Sequence, residues 1–246
     1  MASSSETGHV KNVSHLEDLI TFCSGYGVSY NPSKTIIQLA GLNQLLTAAK
    51  ATIEDVNKKL IDYANAVNNR QIKYQNLKKL GTRLVSALSA TDANSKTIEN
   101  AIAINRKIQG GRAAAKVTPP PATGSDPTPE SKSYSVAQQS YGMLADHLSK
   151  MILLLQSEPS YNPNEPDLKI SGLNTLLSEM QQSNTAVMNA MTNLSNARLN
   201  RNKQFYSDDN CLFECAAQVK NYVKSAFGTT SPEYKQISSL KFTKRL

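Results

Sequence analysis

The sequence of 246 residues contains no tryptophan, and aromatic side chains make up only 6% of it. Apolar residues account for 39%, which is enough for a hydrophobic core but below the usual share. A core built from small aliphatic side chains and methionine favours a helical bundle over an aromatic-rich β-sandwich. The composition therefore predicts an all-α protein, with a length that suits one large domain or two small ones.

Long hydrophobic runs are also lacking. The longest is Met151–Leu155, far short of the ~20 residues that a membrane-spanning helix needs. The N-terminal stretch MASSSETGHVKN has no apolar segment of the kind found in secretory signals. We therefore expect a cytoplasmic location. A membrane-active helical protein that uses Met151–Leu155 is the least favoured of the functions considered.

Cysteine and histidine are scarce, and their spacing does not match a metal site. Cys211 and Cys215 lie one helical turn apart, which is typical of two small residues that face a core. A structural zinc site would need more ligands, and the three histidines are scattered along the chain. The sequence therefore predicts no metal and no cofactor. The remaining cysteine and the histidines are Cys23, His9, His15 and His147.

Catalytic motifs are missing as well. The chain has no glycine-rich phosphate loop, no GxSxG, no HExxH and no CxxC motif. Adjacent carboxylates occur at Glu54 with Asp55 and at Asp208 with Asp209, but no histidine is near either pair in the sequence. We therefore expect a protein that is not an enzyme, and no small-molecule substrate is indicated.

The formal charge of +8 is spread along the chain, with no run of lysine and arginine longer than two residues. Nucleic-acid-binding proteins usually concentrate their charge in a patch or stripe. Electrostatic binding of nucleic acid is therefore an alternative rather than the leading function. The candidate contact is the C-terminal basic tail, which we expect to be frayed and solvated: Lys241, Lys244 and Arg245.

One phrase occurs twice in the chain. SYNPSKTIIQLAGLNQLL begins at Ser29, and SYNPNEPDLKISGLNTLL begins at Ser160. When Tyr30–Gln75 is aligned with Tyr161–Tyr206, thirteen of the 46 positions are identical. Similarity continues upstream and downstream of these ranges with small changes of offset. The chain therefore reads as a tandem duplication.

The duplication predicts a division of the chain into four parts. Residues 1–13 form a disordered N-terminus, and residues 14–108 form the first helical repeat. Residues 109–133 contain five of the ten prolines and form a Pro/Gly-rich linker. Residues 134–246 form the second repeat, including the basic tail. We expect the two repeats to pack with pseudo-twofold symmetry.

Each repeat contains one long heptad-patterned segment. Apolar side chains recur at steps of three and four from Leu42 to Leu77, and again from Leu173 to Phe205. No proline interrupts either segment. This spacing predicts two helices of about 35–40 residues, each with a coiled-coil-like apolar seam.

Shorter antiparallel helices are predicted beside the long ones. The first runs from about Ser14 to Cys23 in one repeat and from about Ser135 to Gln156 in the other. A further helix follows each long one, and the second copy ends at a glycine cap at Gly228. The last helix begins at Ser231, which corresponds to Asp92 in the first repeat.

The repeated Tyr-Asn-Pro motif is predicted to be a corner between helices. Proline disfavours the helical conformation in the asparagine before it. Gly41 and Gly172 lie just before the first shared leucine of each seam, where a missing side chain permits close approach. A ligand-binding loop is the alternative interpretation, but the residues after the proline differ in charge between the copies.

The second long helix has an unusually neutral polar face. Between Ile170 and Ala197 the only charged residue is Glu179. Neutral polar side chains cost less to bury than charged ones, and methionine adapts to varied partners. This helix is therefore predicted to be central in the bundle or to bind a partner through Met180, Met188, Asn189 and Met191.

Three arginines occupy positions on the apolar seams: Arg70, Arg198 and Arg201. A buried unpaired charge is costly, so each requires a partner or water. We expect the seams to end here, with the arginines emerging near a hairpin turn beside Asp208 and Asp209. The functional alternative is an anion or partner site formed by the three arginines.

Two segments carry a family resemblance: INRKIQGGRAAA, which begins at Ile104, and YVKSAFGTTSPEYKQI, which begins at Tyr222. They resemble segments of uncharacterised duplicated helical proteins of Bacteroidetes-type bacteria. The resemblance implies a bacterial origin and brings no activity with it. The long helices, the neutral face of Ile170–Ala197 and the lack of catalytic motifs instead lead us to expect a structural or protein-interaction bundle, with a scaffold that associates with itself as one form of it.

Overall fold

The computed structural model describes residues 7–110 and 139–244, and the regular structure in these two ranges is helical. The α-helices of this part of the chain are α1 (Thr7–Gly25), α2 (Leu39–Tyr74), α3 (Leu77–Ser89), α4 (Ser95–Gln109), α5 (Tyr141–Gln156), α6 (Ile170–Asn202), α7 (Leu212–Phe227) and α8 (Pro232–Ser238). Single 3-10 turns occupy Gly27–Ser29 and Thr35–Ile37, and a π-helical turn occupies Lys203–Ser207. The predicted all-α class is confirmed.

The two long helices of the sequence prediction are α2, with 36 residues, and α6, with 33. Both follow the heptad spacing of their apolar side chains and contain no proline. Helix α6 is slightly shorter than predicted because its backbone widens into the π-helical turn at Lys203. The wider turn brings two consecutive aromatic side chains, Phe205 and Tyr206, into the core.

Helix α1 begins earlier than the sequence indicates. The prediction of disorder over residues 1–13 is wrong for residues 7–13, which are helical, while residues 1–6 lie outside the described residues. Ser14, predicted to start the helix, lies within it. The physical reason is tertiary: His9, Asn12 and Val13 are buried, and the His9 ring lies 5.8 Å from the ring of Phe205.

The helices group into two compact units. The terminal unit combines the residues up to Ala64 with those from Asn189 onward, and the middle unit is Asn65–Met188. These units do not coincide with the predicted repeats 14–108 and 134–246. The reason is that each long helix buries its two ends in different cores. Leu42, near the start of α2, is buried in the terminal unit, whereas Tyr74, at its end, is buried in the middle unit.

The core of the terminal unit is built mainly from α1, the first half of α2, and α7. The π-helical turn after α6 adds aromatic side chains, and Ile237 of α8 closes the core at one end. Each fully buried leucine or isoleucine contributes roughly 1.5–3 kcal/mol relative to exposure. Its buried side chains include Leu16, Leu19, Cys23, Leu42, Ala49, Phe205, Leu212, Cys215, Val219 and Val223.

The core of the middle unit lies among α3, α4 and α5, together with the adjoining ends of α2 and α6. Within the apolar run Met151–Leu155, the side chains of Met151, Ile152 and Leu155 are buried in this core, and Leu153 is exposed. No helix among residues 7–110 and 139–244 is long and apolar enough to cross a membrane. The buried side chains of this core include Leu84, Leu88, Ala101, Ile108, Leu148, Met151, Leu155, Leu173 and Met180.

The Tyr-Asn-Pro motif forms the same corner in both units. The Tyr30 hydroxyl donates to the carbonyl of Ile37 at 2.5 Å in the terminal unit. In the middle unit the Tyr161 hydroxyl donates to the carbonyl of Leu168 at 2.9 Å. Each bond spans seven residues and closes the loop that leads into a long helix. Both tyrosine rings are buried, so the motif acts as an architectural corner.

The corner predicts a loss of stability in alkali that depends on Tyr161. Burial, followed by the nearby carboxylates of Glu165 and Asp167, raises the pKa of Tyr161 to about 12. The folded state therefore holds this proton more tightly than the unfolded chain, whose tyrosine has a pKa of about 10. The resulting stabilisation is complete below about pH 10 and is lost as the pH rises toward 12.

Urea unfolding of the wild type and of Tyr161→Phe at about pH 8 and about pH 11 measures this effect. Between these two pH values the wild type should lose about 1 kcal/mol more than the variant, because phenylalanine cannot ionise. At the lower pH the variant should already be less stable by about 1 kcal/mol, through the missing hydrogen bond. Parallel pH profiles would contradict the assignment.

The structure confirms two of the predicted helix caps and corrects a third. Gly228 caps α7, and Ser231 caps α8 with Pro232 at the first helical position, as predicted. Helix α4, however, is capped by Asn94 and not by Asp92. The Asn94 side chain accepts a backbone N–H bond at 3.0 Å. Asparagine and aspartate are nearly equal as N-caps, so the sequence alone did not separate the two.

Two predicted segments fall partly outside the described residues. Helix α4 ends at Gln109, and the remainder of the predicted linker, 111–133, is among the residues that the structure does not describe. The helix predicted from Ser135 begins at Tyr141, with the Ser140 side chain as its N-cap. Ser140 accepts a hydrogen bond from the backbone of Met143 at 3.3 Å, which explains why the helix starts there.

Candidate interaction surface

The four predicted partner-binding residues of α6 have different environments. Met180 is fully buried in the core of the middle unit, so it serves packing and is not available to a partner. Met188, in the same unit, is 62% exposed. In the terminal unit Asn189 is exposed and Met191 is 47% exposed. Three of the four residues are therefore exposed and one is buried, and partner binding through them stays a prediction.

In the terminal unit α2 packs against α6 through a small apolar cluster. Val56 of α2 is buried together with Leu194 and Ala197 of α6, and Tyr63 packs against them. On α2 the seam position after Val56 is Leu60, and on α6 the seam position before Leu194 is Met191. Both follow the heptad spacing, yet Leu60 is 42% exposed and Met191 is 47% exposed. We call this pair the open seam.

Further apolar side chains are exposed on the same two helices. Ile61 of α2 and Leu199 of α6 are each more than half exposed. Isolated surface leucines are ordinary, but the terminal-unit parts of these two helices expose four large apolar side chains, which is an unusual concentration. The sequence prediction missed Leu60 and Ile61. The sequence did contain a signal for Leu60, because Leu60 aligns with the predicted partner-binding residue Met191 between the two copies of the repeat.

The charges beside the open seam are paired within α2. Lys58 bonds to Glu54 at 2.8 Å, and Lys59 approaches Asp62 at 3.7 Å. The hydrogen bond with Lys58 lowers the pKa of Glu54. On the α6 side, the residues from Asn189 to Ala197 carry no charge. Three carboxylates and two lysines lie between Glu54 and Asp62, so this surface has a net charge of only −1, although the chain as a whole is strongly basic.

The α2–α6 contact in the middle unit is polar. The side-chain amide of Asn184 donates to the Tyr74 hydroxyl at 2.8 Å, and that hydroxyl donates to the Tyr141 carbonyl at the same distance. Burial raises the pKa of Tyr74. Lys73 also pairs with Glu179 at 2.8 Å. A single polar residue on an apolar seam specifies register, and Asn184 has this position.

The three seam arginines have separate surroundings. Arg70 lies in the middle unit, where its guanidinium stacks 4.0 Å from the centre of the Tyr141 ring. Arg198 and Arg201 lie in the terminal unit. Arg201 is buried, and its Nε and Nη2 donate to the side-chain oxygen of Asn202 at 3.2 and 2.9 Å. The expectation that Arg201 emerges into solvent is therefore wrong.

The predicted basic tail is docked rather than frayed over the residues that the structure describes. The Asn12 side chain makes two hydrogen bonds to the backbone of Thr243. It donates to the Thr243 carbonyl at 2.8 Å and accepts from the Thr243 N–H at 3.0 Å. A ring nitrogen of His15 lies 2.8 Å from the Lys241 carbonyl. The side chains of Lys241 and Lys244 are exposed, and Arg245 lies outside the described residues.

The three cysteines are buried free thiols, as expected for core residues. Burial raises the pKa of Cys23 to about 11, and that of Cys215 to about 11. The Cys215 thiol donates to the Asn210 carbonyl at 3.1 Å. In the described part of the chain, no three histidine, cysteine or acidic residues come together as metal ligands. The thiols of Cys23 and Cys215 are thus protonated packing residues at neutral pH.

No family model matches this sequence, and it has no significant match among curated proteins or solved structures.

Proposed function

We propose that this protein is a non-catalytic interaction module that associates with a second copy of itself through the open seam of the terminal unit. The observation that carries the proposal is the exposure of Leu60 and Met191 at heptad positions, whereas the neighbouring positions Val56 and Leu194 on the same seams are buried. Apolar seam positions are stable when a neighbouring helix covers them. Two more helices from a second copy would complete such a bundle.

A second copy is favoured over other partners by charge and by shape. The ion pairs of Lys58 and Lys59 leave the surface with a net charge of only −1, from Asp55, so an identical surface is repelled only weakly. Leu60 and Met191 also occupy corresponding positions of the repeated sequence. The surface therefore presents similar side chains from both helices, which suits an isologous contact related by a twofold axis.

The expected contact is reversible. The contact would cover the open seam together with Ile61 and Leu199. Burying the exposed part of each of these four side chains gains about 1 kcal/mol, so two copies gain on the order of 8 kcal/mol. Association costs roughly 4–15 kcal/mol in lost translational and rotational freedom. The balance supports a weak, concentration-dependent dimer rather than a permanent one.

The test is the solution mass of the full chain, by size exclusion with light scattering over a range of protein concentrations. The wild type should rise above the monomer mass of 26.8 kDa as the concentration increases. Met191→Glu should remain monomeric, because a carboxylate in the contact would lose its hydration without a partner. Asn193→Glu is the matched control, since Asn193 is exposed on the opposite side of the same helix.

The proposal is overturned if the wild type remains a monomer at every concentration. It is also overturned if Met191→Glu and Asn193→Glu shift the equilibrium equally, since that result would indicate a general charge effect. High salt should leave the dimer intact, because the contact is apolar and its neighbouring charges are paired within one helix.

We further propose that the chain arose by tandem duplication, as the repeated phrase indicates. Support comes from equivalent local environments in the two copies. Tyr30 and Tyr161 make the same backbone bond, and the seam leucines that follow, Leu42 and Leu173, are both fully buried. The pseudo-twofold packing expected from the sequence stays a prediction, as does the likeness to Bacteroidetes-type proteins.

A further inference from the structure

A second feature of the terminal unit lies away from the open seam. The residues after α8 return along α7 and border a pocket of about 520 Å³. One wall comes from α7, through Phe213, Ala217 and Lys220, and the other comes from the segment that ends at Lys244. The pocket exists because this segment is docked, so the sequence indicated the lysines of the tail but not the pocket.

The charged residues that line this pocket are all positive. Three lysines border the pocket, Lys220, Lys241 and Lys244, and none of its lining residues is acidic. The rest of the lining is largely apolar and includes the partly buried rings of Phe213 and Phe242. A concave site with apolar walls and a few convergent polar groups is the usual form of a small-ligand pocket.

Lys220 is held in place at the pocket wall. Its ammonium group donates a hydrogen bond to the Leu240 carbonyl and lies 5.5 Å from the centre of the Phe242 ring. Burial lowers the pKa of Lys220, so its charged form lacks part of the hydration that an exposed lysine has. An ammonium group has three donors, which leaves capacity for an anion beside the carbonyl.

We propose that this pocket binds a small organic anion. The carboxylate, sulfonate or phosphate group of the ligand faces Lys220, Lys241 and Lys244, and its apolar body covers Phe213, Leu240 and Phe242. Charge-assisted hydrogen bonds to the lysines orient the ligand, and the apolar walls exclude water from it.

The test uses anilinonaphthalene sulfonate, a fluorescent aromatic anion, titrated into the folded full-length protein. Lys241→Ala combined with Lys244→Ala should weaken binding about fivefold, since both side chains are exposed and each contributes a modest charge interaction. The matched control combines Lys224→Ala with Lys235→Ala. It removes the same charge from exposed positions of α7 and α8 that do not line the pocket. The control should bind as the wild type does.

Displacement of the dye tests separately whether the ligand needs an anionic group and whether it needs an apolar body. Octanoate should displace it at much lower concentration than acetate, because only octanoate has a body that covers the apolar wall. Equal displacement by acetate would overturn the requirement for an apolar body. Equal weakening in both double variants, or in neither, would overturn the pocket itself.

A short single-stranded oligonucleotide is the remaining competitor. If it displaced the dye at lower concentration than octanoate, and only when Lys241 and Lys244 were intact, the small-anion proposal would be replaced by nucleic-acid binding. Its affinity would then fall steeply with salt. We expect instead that the oligonucleotide competes poorly, because the lysines converge on one pocket and do not form an extended stripe.

Discussion

Replacing Gly172 with alanine should lower the free energy of unfolding by about 2–3 kcal/mol. A Cβ atom at this position would lie 2.3 Å from the backbone carbonyl oxygen of Pro166. Gly172 is the third residue of α6, and the corner that begins at Tyr161 passes directly over it. The obstacle is backbone and cannot rotate away as a side chain could, so the corner itself must move.

The equivalent glycine of the other repeat should behave in the same way. At Gly41 a Cβ atom would lie 2.6 Å from the Thr35 carbonyl oxygen and 2.7 Å from that of Ile36. Gly41→Ala should therefore also destabilise the chain by about 2 kcal/mol or more. This pair explains why the repeated phrase keeps a glycine inside a helix, where glycine costs roughly 1 kcal/mol relative to alanine.

Gly142→Ala is the matched control for both substitutions. Gly142 also lies in the first turn of a helix, α5, but a Cβ atom there meets no atom within 4 Å. Alanine should leave stability unchanged or raise it by up to about 1 kcal/mol. Urea unfolding of the three variants measures all of these effects. If Gly41→Ala and Gly172→Ala were as stable as the wild type, the close approach at the corner would be wrong.

Leu148→Ala should cost about 3–5 kcal/mol, a large loss for the truncation of one aliphatic side chain. Leu148 lies on α5 and is completely buried in the core of the middle unit. Its removal forfeits the burial of the side chain and leaves a cavity that packed neighbours fill only in part. Calorimetry or urea unfolding should show this loss directly.

The control comes from the same helix. Leu153 is 62% exposed, and Leu153→Ala should change stability by less than about 0.5 kcal/mol. The comparison also bears on the run Met151–Leu155, which the sequence alone left open as a membrane contact. A large loss at Leu153 together with a small one at Leu148 would mean that α5 turns its other face to the core.

The helices themselves were predictable because their information is local. Apolar residues at steps of three and four specify a helical face, and this spacing correctly predicted the long helices α2 and α6. Local chemistry also indicated the caps at Gly228 and Ser231. It predicted Asp92 as the N-cap of α4, whereas the structure has Asn94. Both are good N-cap residues and lie two positions apart, so only the helix geometry decides between them.

The candidate surface was predictable in part. The neutral face of α6 pointed to Met188, Asn189 and Met191, which are exposed. The same pattern included Met180, because a heptad seam looks alike along its whole length. Which portion is covered depends on the length and position of the shorter helices beside it. Leu60 was missed for the same reason, since a leucine on a seam is ordinarily taken as buried.

The sequence by itself determined the helical class, the presence of the two long helices, and the repeated corner, since each depends on residues close together in the chain. Only the tertiary structure decided that residues 7–13 are helical, that Arg201 is buried, and that the segment before Lys244 is docked. These outcomes rest on contacts between distant residues, such as Asn12 with Thr243, which lie 231 positions apart. Such contacts form only when the helices are already packed, so no local pattern encodes them.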